Sequence, residues 1–294
     1  MQSYTLGRLT LARQACGRAM STTVPLVSTV HGDPSSSTTP LIMAHGLFGQ
    51  KQNFRTIAKN INEKTGATVH CVDLRNHGDS PHATGMTYEE LSTDLIQYIR
   101  KIQEKSGVKK VHVLGHSMGG KTAMRLALRP DGQELIDRLI IEDASPRGNK
   151  THDSGFIGYI RALKKLDLHR PRKNLLDDLA PGIPDLPLRQ FFLTNLQKSK
   201  DDPSKMEWKC NLDALEHYVR DILGEGLTGS DGTFSGDTLF LRGELSDFFT
   251  DKDEPLVRNL FPKVRFETIP NARHWVHSDQ PRAFVESVCN FLQH

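Results

Sequence analysis

The pentapeptide G-H-S-M-G at residues 115–119 constrains this chain of 294 residues more than any other stretch. The mostly apolar residues 111–114 before it indicate a short buried strand, and residues 121–128 after it carry apolar side chains at helical spacing. G-x-S-x-G between a strand and a helix is typical of a strained turn that exposes a serine hydroxyl. Its glycines allow the strand and the helix to approach more closely than side chains would permit. Ser117 is therefore our candidate nucleophile.

A second loop of the same kind follows another predicted strand. The apolar residues 41–44 lead directly into H-G-L-F-G at residues 45–49. A His-Gly pair after an early strand is where enzymes with such a turn place a second backbone donor for an oxyanion. We therefore predict an oxyanion hole formed by the N–H groups of Leu47 and Met118. For His45 itself we expect an anchoring role, in which its ring nitrogens hold the loop.

The candidate general base lies near the C-terminus. Residues 266–270 indicate a last strand, and N-A-R-H-W follows at 271–275. A histidine in the loop after the final strand completes the chain order serine, acid, histidine. His274 would take the proton of the serine and later give it to the leaving alcohol. His277 is the nearest competitor, but it lies where the closing helix is predicted to start.

Three aspartates compete for the acid of this triad. G-E-L-S-D at 243–247 follows a predicted strand, at the point where a G-x-x-D turn often carries the acid. Here the third residue after the glycine is Ser246, and Asp247 comes one place late, so its side chain should leave the turn in another direction. Asp143 ends a neighbouring predicted strand beside the Ser117 turn, while Asp213 lies in the segment between the predicted sixth and seventh strands. The residues alone leave the choice open.

Composition limits the other functions that this chain can have. No apolar run approaches the ~18 residues of a membrane-spanning helix. The four cysteines lie far apart and form no C-x-x-C pair, which predicts reduced thiols in an intracellular protein and no zinc or other metal site.

The first 32 residues differ in composition from the rest. They contain Arg8, Arg13 and Arg18 and several hydroxyl side chains, and no acidic residue occurs before Asp33. This composition is typical of a mitochondrial transit peptide, and a disordered basic tail is the alternative. We therefore predict a mitochondrial, matrix location. Without these three arginines the basic and acidic residues balance, and nothing in the remainder indicates a nucleic-acid partner.

Strands alternate with amphipathic helices along most of the chain, which predicts an α/β fold with a mostly parallel central sheet flanked by helices. The alternation stops at residues 148–236, where a helical pattern is broken by Pro171, Pro181, Pro184 and Pro187. We predict that this stretch is a helical lid, inserted between strands six and seven and placed over the carboxyl edge of the sheet. Residues 33–147 and 237–294 would then form the core.

Four motifs together resemble one known family. They are H-G-L-F-G at 45–49, D-L-R-N-H-G-D-S at 73–80, H-S-M-G-G-K-T-A-M at 116–124 and L-T-N-L at 193–196. They are similar to the α/β-hydrolase domain-containing protein eleven family, which includes mitochondrial esterases and lipases and small bacterial esterases. The resemblance extends from about Val24 to the C-terminus. It implies an α/β-hydrolase fold and a serine hydrolase that cleaves carboxylic esters, including diacylglycerol-type lipids, without a cofactor.

The resemblance also implies site residues. It assigns Ser117 and His274 as nucleophile and base. For the acid it points to Asp213 in N-L-D-A-L and, in the bacterial-type relatives, to Asp143; it gives Asp247 no support. The family has N-A-G-H-W before the histidine, whereas this chain has Arg273 in place of the glycine. If that position needed a positive φ, Arg273 would strain the loop and displace the base.

These observations predict an esterase or lipase that acts on an ester or lipid substrate. Haloalkane dehalogenases and epoxide hydrolases are excluded, because they need an aspartate where this chain has Ser117. Acyl thioesterase and peptidase activities use the same triad and remain alternatives. A non-catalytic binding protein on the same scaffold is an alternative of another class, and Arg273 is the residue that speaks for it.

Overall fold

The computed structural model describes residues 23–148 and 153–294. The strands within these residues are β1 (Ser28–His31), β2 (Leu41–Ala44), β3 (Val69–Val72), β4 (Val111–His116), β5 (Ile136–Glu142), β6 (Leu196–Lys198), β7 (Met206–Trp208), β8 (Asp237–Gly243) and β9 (Val264–Ile269). The α-helices are α1 (Arg55–Thr65), α2 (Tyr88–Ser106), α3 (Met118–Leu128), α4 (Pro130–Gln133), α5 (Asp153–Lys164), α6 (Arg172–Asp178), α7 (Leu186–Leu193), α8 (Leu212–Gly224), α9 (Glu254–Leu260), α10 (Val276–Asp279) and α11 (Pro281–Gln293).

Seven strands form a central sheet in the order β1-β3-β2-β4-β5-β8-β9. β1 is antiparallel to β3, and all the other neighbours are parallel. The register pairs Ala44 of β2 with Gly115 of β4, and His116 of β4 with Glu142 of β5. The loops that follow these three strands therefore leave the sheet side by side, at the carboxyl edge where open α/β sheets bind their ligands.

Helices cover both faces of the sheet. α2 and α3 pack together on one face, and α1 and α11 pack together on the other. β2, β3 and β4 are buried along their whole length, as expected for parallel strands covered on both sides. α2 begins at a capping box, in which Thr87 and Glu90 bond each other's backbone N–H groups. The predicted α/β class and mostly parallel sheet are confirmed.

The N-terminal boundary differs from the prediction. Residues 1–22, which carry the predicted transit peptide, lie outside the described residues. The prediction extended this tail to residue 32, but the fold begins earlier. The N–H of Val24 donates to Asp94 Oδ1 at 3.0 Å, the N–H of Val27 donates to Ser80 Oγ at 2.8 Å, and β1 pairs with β3. Val24, Val27 and β1 therefore belong to the sheet domain, because they are hydrogen-bonded into it.

Between β5 and β8 the described residues 153–236 form what we call the inserted segment. It contains α5 to α8 and a two-stranded antiparallel hairpin, β6–β7, in which Leu196 pairs with Trp208. The prediction placed the insertion between strands six and seven of the sheet. It lies between the fifth and the sixth, because only five sheet strands precede it in the part of the chain that is described. The hairpin was not predicted, because each of its strands is only three residues long and too short to show a pattern.

No helix in the described residues combines the length and the apolar character needed to cross a membrane.

Candidate active site

Ser117 lies at the tip of a sharp turn between β4 and α3. Its backbone adopts φ 53° and ψ −117°, a conformation that L-residues rarely tolerate and that costs on the order of 1–3 kcal/mol. The N–H of Ser117 donates to the carbonyl of Glu142 on the neighbouring strand at 3.0 Å. A Cβ atom at Gly115 would lie 2.2 Å from the Gly119 carbonyl oxygen, and one at Gly119 would lie 2.2 Å from a carbonyl oxygen of β2. Both glycines of the motif are therefore required by close packing.

The residues of the predicted oxyanion hole meet beside Ser117. Met118 is the first residue of α3, and the first N–H groups of a helix have no carbonyl partner within it. The loop after β2 lies against the nucleophile, since a Cβ atom at Gly46 would be 3.1 Å from Ser117 Cβ. Leu47, the next residue, lines a cavity together with Ser117 and Met118. The N–H groups of Leu47 and Met118 are thus carried by adjoining segments.

His45 is a buried anchor of this loop. Its Nδ1 donates to the Gly46 carbonyl at 2.8 Å, and its Nε2 accepts from the N–H of Leu74 at 3.0 Å. Burial lowers the pKa of His45, which favours the neutral ring that this pair of bonds requires. The arrangement fits the anchoring role expected for His45.

His274 lies next to the Ser117 turn, in the loop after β9. Its carbonyl accepts a hydrogen bond from His116 Nε2 at 2.9 Å, and the two imidazole rings are 4.7 Å apart at their centroids. His274 Nδ1 lies 2.7 Å from Asp143 Oδ2. The neighbouring strands β4 and β5 thus position these groups. β4 carries His116 and leads into Ser117, and β5 leads into Asp143, whose carboxylate faces the His274 imidazole.

Asp143 follows β5 and is held by groups from the next strand. Its φ is +47°, and its Oδ1 accepts from the N–H of Gly243 at 3.3 Å while its Oδ2 accepts from Ser246 Oγ at 2.5 Å. Burial raises the pKa of Asp143 to about 7, and the hydrogen bonds from Ser246 and Gly243 act in the opposite direction. The proton affinity of this carboxyl is therefore close to that of an ordinary imidazole.

Asp213, the alternative acid, is not brought into this cluster. It lies in the first turn of α8, where its side chain is 85% exposed and its Oδ1 lies 2.6 Å from Lys164 Nζ. It occupies the polar face of an amphipathic helix whose opposite face buries Leu212 and Leu215. The N-L-D-A-L motif instead starts this helix, since Asn211 Oδ1 accepts from the N–H of the third helical residue at 3.2 Å. The expectation that Asp213 contacts the base is therefore corrected. Asp247 is exposed as well.

His277, the competing histidine, belongs to a second buried group behind the turn. Its Nδ1 donates to Glu142 Oε1 at 2.6 Å. His116, Glu142 and His277 bring potential metal-ligand atoms within 4.8 Å of one another. Burial lowers the pKa of His116 to about 3, so its ring is neutral. The bonds from His277 to Glu142 and from His116 to the His274 carbonyl engage this group, and together they hold the base loop beside β4.

Arg273 does not strain the loop before the base. It is not among the residues with a positive φ; the left-handed position of this loop is Asn271, at φ 57°. Asparagine tolerates that conformation better than most residues. The N–H of Arg273 donates to Asp279 Oδ2 at 2.7 Å. The condition under which Arg273 would displace His274, a positive φ at position 273, is therefore not met, because the left-handed residue of this loop lies two positions earlier.

The sequence did not indicate Phe248, which covers His274. Its ring stacks on His274 with centroids 3.7 Å apart and an interplanar angle of 20°. Phe248 lies one residue beyond Asp247 in the turn after β8. A hydrophobic residue in a turn otherwise rich in polar groups was the available signal.

Two cavities meet at Leu47. The cavity that reaches Ser117 has a volume of about 50 Å³, and the larger one, about 240 Å³, lies on the other side of Leu47. Residues of the inserted segment line both: Phe156 and Ile222 border the first, and Phe191 borders the second. The inserted segment therefore covers the carboxyl edge of the sheet above the site.

Residues 39–281 match the family described as alpha/beta hydrolase fold, so the chain belongs to the α/β-hydrolase family. Two curated relatives and one solved structure are close to it over most of its length. The sn-1-specific diacylglycerol lipase ABHD11 of Danio rerio is 38% identical over 267 residues, which cover 89% of this chain and 80% of that protein. A putative esterase/lipase of Haemophilus influenzae is 33% identical over 87% of this chain and 84% of its own length. The structure of a marine microorganism esterase has 36% identity and a TM-score of 0.82, covering 92% of this chain and 100% of that one.

Proposed function

We propose that this α/β hydrolase cleaves its substrate through an acyl-enzyme formed on Ser117, with His274 as general base and Asp143 as the acid of the triad. The broader assignment, a serine hydrolase acting on carboxylic esters, follows from the family and from its esterase and lipase relatives. The observation that carries the finer proposal is the contact of 2.7 Å between Asp143 Oδ2 and His274 Nδ1, beside a serine in a strained turn.

In this mechanism Ser117 Oγ attacks the ester carbonyl while its proton passes to His274 Nε2. Asp143 accepts a hydrogen bond from Nδ1–H, which leaves the lone pair of Nε2 free to take that proton and stabilises the imidazolium that forms. The N–H groups of Leu47 and Met118 would bind the oxyanion, and each such donor contributes about 3 kcal/mol. His274 then protonates the leaving alcohol. Water attacks the acyl-enzyme by the same steps and releases the carboxylic acid product.

The experiment that tests this proposal replaces the nucleophile. Ser117→Ala should lower kcat for p-nitrophenyl butyrate by about 10⁶-fold, as expected when a triad serine is lost. Ser287→Ala is the matched control, because this hydroxyl is bonded to Glu267 and lies away from the site. It should retain the kcat of the unmodified enzyme. Activity of Ser117→Ala within tenfold of the unmodified enzyme would contradict the proposal.

For the substrate, we propose an ester with an apolar acyl group, such as a diacylglycerol. The cavity at Ser117 is lined mostly by apolar side chains, among them Phe156, Ile222 and Phe248. The relatives named as sn-1-specific diacylglycerol lipases point the same way. Hydrolysis of p-nitrophenyl esters from two to sixteen carbons, of dioleoylglycerol and of matched acyl-CoA thioesters would distinguish lipase, short-chain esterase and thioesterase. A protein that a fluorophosphonate probe does not label would instead be a binding scaffold.

The inserted segment, within residues 148–236, would act as a lid that shapes the acyl site.

We further propose that the Arg-rich N-terminal residues direct the protein to the mitochondrial matrix. A variant lacking residues 1–22 keeps Val24 and β1, which belong to the sheet domain. It should not be imported by isolated mitochondria, although its kcat should be unchanged. Import of this variant would refute the targeting proposal.

A further inference from the structure

The loop that carries Leu47 has an unfavourable backbone at its next residue. Phe48 has φ 60°, in the left-handed region that an aromatic residue rarely occupies. Such a conformation persists only where the surroundings hold it. The chemistry at Ser117 depends on this loop, because the N–H of Leu47 can bind an oxyanion only if the loop backbone is fixed.

Both backbone polar groups of Phe48 are held by buried side chains from distant segments. Its N–H donates to His77 Nε2 at 3.2 Å, and its carbonyl accepts from Asn195 Nδ2 at 2.7 Å. His77 comes from the loop after β3, whereas Asn195 comes from the inserted segment, between α7 and β6. Both side chains are fully buried. The conformation of the oxyanion loop is therefore fixed from two sides.

The contact with Asn195 is part of a larger docking site. Gln50 Nε2 donates to the Thr194 carbonyl at 3.0 Å, and the ring of Phe48 packs edge-on against Phe192 with centroids 4.8 Å apart. The turn 192–195 of the inserted segment thus contacts the loop after β2 at Phe48 and Gln50. L-T-N-L, one of the motifs that carried the family resemblance, lies in this turn.

The amide of Asn195 is oriented by what it touches. Its Oδ1 is buried and has no hydrogen-bond partner among the described residues. A flipped amide would place this oxygen against the Phe48 carbonyl oxygen, where two acceptors repel each other. An apolar side chain at this position would leave the buried Phe48 carbonyl without its donor. The donor that faces Phe48 is the feature this residue supplies.

We propose that Asn195 is a positioning residue, which couples the inserted segment to the oxyanion hole by holding the Phe48 carbonyl and thereby aiming the N–H of Leu47. The inference rests on the proposed function, in which Leu47 binds the oxyanion. Loss of a whole oxyanion donor lowers kcat by about 10²- to 10³-fold. A donor that is misaimed but still present should cost less. We therefore expect a fall of about 10- to 100-fold when Asn195 is replaced.

The test uses two variants of the full-length protein and a matched control. Asn195→Ala removes the donor, and the isosteric Asn195→Asp places a carboxylate oxygen against the Phe48 carbonyl. Asn211→Ala is the control, because the Asn211 side chain also docks the inserted segment. Its Nδ2 donates to Asn76 Oδ1 at 3.1 Å, and this bond is lost in the variant, whereas the backbone N–H of residue 211 still donates to the Asn76 carbonyl. Neither bond involves the oxyanion loop. Each variant is measured for Tm, kcat, KM and inhibition by a trifluoromethyl ketone, which forms an oxyanion when Ser117 attacks it.

Both Asn195 variants should show a kcat lowered by 10- to 100-fold with KM changed less than threefold. Their affinity for the ketone should fall by the same factor as kcat/KM, because both depend on the oxyanion. The activity of Asn195→Asp relative to the unmodified enzyme should improve as pH falls, since a protonated carboxyl can donate to the Phe48 carbonyl. Asn211→Ala should lower Tm while keeping kcat within twofold.

Either of two results would overturn the inference: Asn195→Ala with kcat within twofold of the unmodified enzyme, or an equal loss of kcat in Asn211→Ala. If Asn195→Ala does not fold, the isosteric Asp variant decides by the same criteria together with its pH response. Failure of the proposed function itself would look different. Ser117→Ala would then remain active, whatever the Asn195 variants do.

Discussion

Asp143→Asn should lower kcat for p-nitrophenyl ester hydrolysis by about 10⁴-fold, the loss expected when a triad carboxylate becomes an amide. The structure indicates how the loss arises. The N–H of Gly243 donates to Oδ1 of Asp143, so the carbonyl oxygen of the new amide should remain at that position. The NH₂ group then faces His274 Nδ1, which must accept a hydrogen bond instead of donating one. The imidazole proton moves to Nε2, and His274 can no longer take the proton of Ser117.

Asp213→Asn is the matched control, since Asp213 is the acid that the family resemblance favoured. Its carboxylate is exposed and pairs with Lys164 at the surface, where ion pairs contribute little. Its kcat should remain within twofold of that of the unmodified enzyme. Steady-state kinetics at pH 8, with Tm measured on each variant, provide the assay. The reasoning fails if Asp143→Asn retains more than a tenth of the activity, or if Asp213→Asn is the variant that loses it.

Three further predictions follow from the hydrogen bonds and ion pairs of the core. Ser246→Ala removes a donor that stabilises ionised Asp143, so the pKa of Asp143 should rise, and the acidic limb of the kcat/KM profile should move to higher pH by about half a unit to one unit. Ser246→Thr keeps the hydroxyl and should leave the limb at its original pH. An unshifted limb in Ser246→Ala would count against the role of this bond. Asp94→Asn removes the bidentate carboxylate partner of Arg75, whose side chain is only 1% exposed, and leaves Glu90 Oε1 at 3.3 Å as its other carboxylate contact. Urea unfolding should therefore show a loss of about 1–3 kcal/mol, and an unchanged free energy of unfolding would contradict this account of the pair. Asp143 should also affect the pH dependence of urea unfolding, because its raised pKa makes the folded state bind an extra proton between about pH 4 and 7. The contribution of Asp143 to the free energy of unfolding should therefore fall as pH rises through this window. The same measurement on Asp143→Asn should show no such contribution.

The parts of the site that the sequence predicted are those encoded within a few consecutive residues. The turn around Ser117 and the loop that carries Leu47 each combine a buried strand with glycines at close contacts, so the local pattern was enough. The position of His274 was predicted from its place after the last strand. In each case the strand, the turn and the reactive group are contiguous in the chain.

Which carboxylate faces His274 could not be predicted in the same way, because this depends on which strands are neighbours. Asp143 meets His274 because β8 lies between β5 and β9, and the turn after β8 provides Ser246 to hold the carboxylate. N-L-D-A-L was misleading for a physical reason: an acidic residue in the first turn of a helix fits the helix dipole as well as it fits a triad. The hairpin β6–β7 and the contact of Asn195 with Phe48 depend likewise on packing between distant segments.

The most direct test of the account is to trap the acyl-enzyme. The protein is mixed with an excess of a slowly deacylating p-nitrophenyl ester, quenched in acid, digested and analysed by mass spectrometry. The account predicts one acyl group per molecule, located on Ser117, with a matching burst of p-nitrophenol that is absent in Ser117→Ala. An acyl group on another residue, or full turnover by Ser117→Ala, would contradict it.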